Sequence, residues 1–157
     1  MTQDDIIAFV TSLPGVVAVT ASPANGAPEV AWGDSFFFYD PEGDQPADRR
    51  LPFATIVTKD YDGFDMASDL NRDGIYRLNL AVGRVRFGQL VGYPPAQHTA
   101  HEADFDYSAL DCVLPHPVYA PQAWVSILNP ADTTSLLARS LIVEAHGRAA
   151  ERHRPRR

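Results

Sequence analysis

The stretch "IYRLNLAVG", residues 75–83, decides how the chain folds. Tyr76, Leu78, Leu80 and Val82 alternate with Arg77 and Asn79, the period of two that puts neighbouring side chains on opposite faces of a β-strand. One face is apolar and must be covered. The other presents Arg77 and Asn79 to whatever lies across the sheet.

Working outward, "PFATIVTK" (52–59) reads as a strand before it, and "VVAVTAS" (16–22) and "EVAWGDSFFFYD" (29–40) as two more, joined around the turn cluster "PANGAP" into a hairpin. "TQDDIIAFVTSL" places Ile6, Ile7, Phe9, Val10 and Leu13 on a helical stripe from about 3 to 12, with Thr2 or an early Asp as cap and Pro14-Gly15 as stop. After residue 83, "RVRFGQLVG" gives Val85, Phe87, Leu90 and Val91 a short stripe. An irregular polar segment, 93–111, leads to "CVLPHPVYAPQ", whose three prolines forbid a regular interior strand. "AWVSILN" (123–129) supplies a last strand. "TTSLLARSLIVEAHGRAAERH" then closes with Leu136, Leu137, Leu141 and Ala145 on one face and Thr133 or Thr134 as caps. Strands in succession with helices at the ends predict an α+β, two-layer sandwich: one largely antiparallel sheet of about five strands, helices packed on one face. We expect a single domain over 1–150 and a basic, disordered tail over 151–157.

The phrases "WGDSFFFYD", "PFATIVTKDYD", "RLNLAVG" and "PHPVYAPQAWVSILNP" together resemble a family of actinobacterial proteins known only as a domain of unknown function, over nearly the whole chain. More distantly, the order of the pieces is similar to the MmcQ/YjbR-like domains. That resemblance implies a small α+β fold with helices on one side of a sheet. It brings no established activity, and the DNA-binding label of those domains is inferred from fold alone.

Charge argues against that label. Residues 1–147 hold 8 Lys and Arg against 19 Asp and Glu, while 148–157 hold five Arg against one Glu, within a total of −7. An acidic body repels phosphate backbones, so no nucleic-acid partner is expected. No apolar run approaches the roughly 20 residues that span a bilayer, so no membrane association is expected either. The acidic start "MTQDDIIAF" is unlike a secretory signal, which points to the cytoplasm. The single cysteine, Cys112, excludes an internal disulfide and reads as a small hydrophobe.

Two polar clusters invite metal readings. Asp69, Asn71, Asp73 and Gly74 have the spacing of a calcium loop, but the position that needs a bidentate acid carries Leu80, so the segment reads as a turn feeding the strand. "HTAHEADFD" (98–106) gathers His98, His101, Glu102, Asp104 and Asp106, and reads as a polar surface loop. Neither metal nor cofactor is called for. Isolated glycines exclude a phosphate loop or a dinucleotide fingerprint.

The candidate site is instead a surface. Arg77 and Asn79 on the uncovered face, joined by Lys59, Trp32, Asp34, Tyr119 and Trp124, would supply aromatics beside convergent polar groups, as a small-molecule pocket requires. The expected function is a small-molecule- or protein-binding accessory module, acting as a monomer or weak homodimer. The alternative is a small enzyme of secondary metabolism using His116 as acid or base, helped by Arg77 and Asp60 or Lys59.

Overall fold

The computed structural model describes residues 1–46 and 49–154. In chain order the elements are α1 (Gln3–Thr11), β1 (Val16–Thr20), β2 (Ser35–Tyr39), β3 (Ala54–Val57), β4 (Arg77–Ala81), α2 (Arg84–Val91), α3 (His98–His101), β5 (Val113–Pro115), β6 (Trp124–Leu128) and α4 (Ser135–Arg152), with short 3-10 turns between. The six strands form one antiparallel sheet in the order β1-β2-β3-β4-β6-β5.

β4 sits inside the sheet, and its alternation runs as the sequence dictates. Leu78 pairs with Ile56 and Ile127, and Leu80 with Ala54 and Val125. All six are fully buried. They meet Ile6 and Val10 of α1, Phe87 of α2, and Ala138, Leu141, Ile142 and Ala145 of α4 in one cluster. Each large aliphatic side chain so buried contributes about 1.5–3 kcal/mol relative to exposure. The helices therefore lie on one face, as expected.

Local details depart from the pattern where tertiary context overrides it. β2 begins at Ser35 because Glu29–Ala31 forms a 3-10 turn. On α4 the buried stripe is 138, 141, 142 and 145, and Leu136 is 81% exposed; a stripe at helical spacing from Leu141 reaches Ala138, not Leu136. On α2 only Phe87 is fully covered, and Val85 faces solvent. The proline-rich segment does carry a strand, β5. It forms the sheet edge beyond β6, where a proline is tolerated, and this brings the strand count to six.

Ends and turns are fixed by side chains. Thr2 caps α1 reciprocally with Asp5, each accepting the other's backbone N–H at 3.0 and 2.8 Å. Gly15, at φ 74°, makes the stop after α1; a Cβ there would come within 2.8 Å of the Tyr39 ring. The start of α4 is held from outside. Thr134 stands at the N-cap, but its hydroxyl donates to Asp111, whose carboxylate also accepts the N–H groups of Ala131, Thr133 and Thr134 at 2.9 Å. α4 continues to Arg152, and His153 Nε2 lies 2.9 Å from Glu42, so the helix enters the segment expected to be a tail. Residues 155–157 of that tail lie outside the described residues.

Candidate functional site

The face of the sheet opposite the helices carries Phe36, Thr55, Val57, Arg77, Asn79, Trp124 and Ser126, as the register requires. The segment from Thr58 to Ile75 roofs part of it, with Asp65 and Ser68 bonded to Arg77 and Leu70 packed beside Val57. A second small apolar cluster forms under that roof from Val57, Leu70, Leu114 and Leu128, with Cys112 half-buried beside it. Burial and the neighbouring carboxylates of Asp111 and Asp106 push the Cys112 thiol up, away from reactivity.

Beside the roof a cavity of about 410 Å³ remains. Its floor is Thr55, Val57, Arg77 and Asn79. Its walls are Phe36, Tyr61, Phe64, His116, Tyr119 and Trp124, with Leu51 and Pro52 at the edge. The aromatic wall is continuous. Phe64 meets Tyr119 edge-on at 6.2 Å, and Tyr119 lies 4.9 Å from the His116 ring and 6.5 Å from Trp124. A larger groove of about 770 Å³ passes between α2 and α4, but its charged rim of Arg84, Glu144, Arg148, Glu151 and Arg152 is open to solvent. Screening by water makes such a rim a weaker recognition device than the face cavity.

Arg77 is completely buried, which demands compensation for its charge. Asp65, from the roof, receives it bidentately: Nη1 donates to Oδ1 at 3.0 Å and Nη2 to Oδ2 at 2.5 Å. Nη1 also donates to Ser68 Oγ at 2.8 Å, and Nε to Asn79 Oδ1 at 2.7 Å. The Asn79 amide is committed in turn, accepting from Ser126 Oγ at 2.8 Å and donating to Thr55 Oγ1 at 3.0 Å. This network ties the roof to the sheet. Of the five guanidinium N–H groups, one on Nη2 is left, directed towards His116 Nε2 at 3.5 Å.

His116 is 3% exposed. Its Nδ1 accepts two backbone N–H groups, from Val118 at 3.0 Å and Tyr119 at 2.9 Å, in the turn that the flanking prolines favour. A nitrogen that accepts two hydrogen bonds carries no proton, so in the neutral ring the proton is on Nε2. Burial, and then the Arg77 charge, push its pKa well below that of a free imidazole, so the ring is neutral at pH 7. Ala123, at φ 67°, turns the chain from this loop into β6 and so sets Trp124 against the cavity.

Of the residues expected to form the site, Arg77, Asn79, His116, Tyr119 and Trp124 come together in the cavity. Lys59, Trp32 and Asp34 do not line it. They form their own cluster: Lys59 Nζ donates to the Trp32 carbonyl and lies 3.5 Å from Asp34, while Asp34 accepts from Thr58 N and Oγ1 at 2.8 Å and from the Tyr61 hydroxyl. That arrangement anchors the roof to β2. The sequence reading missed Asp65, Ser68, Phe36 and Phe64. Phe36 was legible, since it pairs with Thr55 on the same face as Asn79; the loop residues carried no periodic signal.

The two metal-like clusters resolve into local bonding. Asn71 accepts the Asp60 N–H at 3.0 Å, Asp60 accepts the Leu70 N–H at 2.8 Å, and Arg72 lies 3.6 Å from Asp69. Those oxygens serve the loop itself. In the other cluster His98 is buried with Nδ1 2.7 Å from the Tyr93 hydroxyl, and His101 stacks on Tyr93 at 4.1 Å and meets Asp104 at 3.1 Å. The polar loop is thus a short helix and a 3-10 turn around a tyrosine.

An open antiparallel sheet with helices on one face and a roofed cavity on the other defines the chain as a small α+β protein. The crystal structure of a Deinococcus radiodurans protein, DR2400, carrying a DUF419 domain, is similar at TM-score 0.54 and 15% identity, over 99% of this chain and 83% of that one. At that identity the likeness speaks for the fold alone. The chain belongs to DUF6194, a family of unknown function, whose model matches residues 1–157. No match was found among curated proteins. Among the described residues no helix is long and apolar enough to cross a membrane.

Proposed function

We propose that this protein is a small-molecule-binding module whose ligand enters the cavity between the sheet and the roof. The supporting observation is the juxtaposition of an aromatic wall, exposed at Phe64 and Tyr119, with buried polar groups of Arg77 and His116 at its base. A concave, mostly apolar recess of this volume with few oriented polar groups is the usual form of a small-molecule site. A partner protein would more often meet a flat patch, so the concavity favours a small ligand. The acidic balance of the body and the single cysteine suit a cytoplasmic setting without nucleic acid.

The same geometry disfavours catalysis by His116 as a base. Nδ1 is occupied by two amides, Nε2 already carries its proton, and the adjacent guanidinium opposes a second. Asp60 and Lys59, its suggested helpers, bond elsewhere.

The test uses the two tryptophans. Trp32→Phe leaves Trp124 as the sole indole, placed in the cavity wall. Saturable change of its emission on titration with planar ring compounds, weakened several-fold in a Phe64→Ala, Tyr119→Ala variant, is expected. Emission that no such compound alters would refute the reading.

A further inference from the structure

We propose that the ligand is an uncharged, ring-bearing compound held by a carbonyl oxygen that accepts from both His116 Nε2–H and the free Arg77 Nη2–H. This rests on the cavity being the binding site, and specifies what it binds.

Two buried side chains meet with mismatched hydrogen-bonding capacity. Arg77 Nη2 and His116 Nε2 approach to 3.5 Å. Guanidinium nitrogens only donate, and Nε2 could accept only if Nδ1 held the proton. Nδ1 already receives the Val118 and Tyr119 amides. Two donors therefore face each other, each belonging to a side chain at least 97% buried. Among the described residues no acceptor lies between them. A buried donor left unpaired is costly, so a single oxygen placed to accept both is favoured.

Charge selects the kind of oxygen. The guanidinium is neutralised by its bidentate contact with Asp65, and the imidazole is neutral. A carboxylate would add an uncompensated negative charge to a mostly apolar recess, close to Asp65, at a cost in desolvation. A carbonyl oxygen meets both donors without that cost. Around it, the cavity is lined by the rings of Phe36, Tyr119 and Trp124, which suit a planar ring system more than a flexible chain.

The experiment compares acetophenone, its isostere α-methylstyrene, and benzoate, on the full chain, by NMR titration of the His116 ring and Tyr119 amide signals. The proposal expects acetophenone to bind roughly tenfold tighter than α-methylstyrene, as two net hydrogen bonds imply. It also expects the His116 Nε2–H signal to shift on binding. His116→Asn keeps an acceptor where Nδ1 was and removes the Nε2 donor, so the preference should fall towards parity. Should that variant not fold, the wild-type ratio and the Nε2–H shift decide alone. Equal binding of ketone and alkene overturns the acceptor inference while leaving the cavity as the binding site. Tightest binding by benzoate overturns the uncharged class. Binding by none of the three overturns the cavity reading as well.

Discussion

Arg77 Nη2, on β4, and His116 Nε2, in the loop after β5, stand 3.5 Å apart as two hydrogen-bond donors at the base of one cavity. Neither side chain could be turned aside. Arg77 is held by Asp65, Ser68 and Asn79, and His116 by the amides of its own turn. The facing pair of donors is thus a by-product of two structural commitments, one tying the roof to the sheet and the other shaping the proline-rich crossing.

The roof anchor should show in stability. Arg77→Met leaves Asp65 buried without a cation, and Asp65→Asn leaves the guanidinium without an anion; each should cost about 3–5 kcal/mol in urea denaturation. Arg77→Met combined with Asp65→Asn should cost less than the sum of the single changes, because no lone charge then remains buried. Strict additivity would mean that the pair is not coupled.

Acid should destabilise the protein through His116. Its folded pKa lies well below 6.5, so as pH falls from about 6.5 the unfolded chain takes up a proton that the folded chain refuses, and stability declines. His98, whose pKa burial also lowers, acts in the same sense. His116→Asn should show a shallower loss of urea midpoint between pH 7.5 and 5 than the wild type. An unchanged slope would show that the imidazole does titrate in the folded state.

A second, more acidic transition belongs to Asp111. The Thr134 hydroxyl, ahead of the backbone N–H groups of Ala131, Thr133 and Thr134, holds its carboxyl well below the usual carboxylate range. Its contribution is present above the unfolded carboxyl pKa of about 3.8 and is lost as pH falls towards the folded value. Asp111→Asn should lower the melting temperature at pH 7, and the gap to the wild type should narrow below pH 4. A gap that stayed constant would place the anchor of α4 elsewhere.

Lys59 separates the site from its surroundings. Lys59→Met should leave the affinity of any cavity ligand unchanged, since the side chain bonds the Trp32 carbonyl and Asp34, outside the cavity. The melting temperature should fall slightly, as befits a partly exposed ion pair. A marked loss of affinity would return Lys59 to the site.

The sheet was legible because β4 alternates without interruption: Leu78 and Leu80 had to be covered, which sent Arg77 and Asn79 to the other face with Trp124 opposite Ala81. Arg77 and Asn79 in the cavity floor follow from that one period. Lys59, Trp32 and Asp34 share composition with a binding site but not its position, because they bond one another where the roof joins β2. Asp65 was hidden for another reason. It lies in an acidic loop with Asp60, Asp62 and Asp69, and only the folded roof distinguishes the acid that reaches a buried arginine from those that bond their own turn. The tautomer of His116 depends on two amides of the backbone, which no side-chain pattern encodes.

The most direct test of this account is the protonation of the His116 ring itself, read by nitrogen-15 NMR of the full-length protein at pH 7. We predict an unprotonated Nδ1 and a protonated Nε2, with the Nε2–H signal moving when acetophenone is added. A protonated Nδ1, with Nε2 accepting from Arg77, would contradict it, because the two donors would then satisfy each other and leave nothing at the base of the cavity for a ligand oxygen to meet.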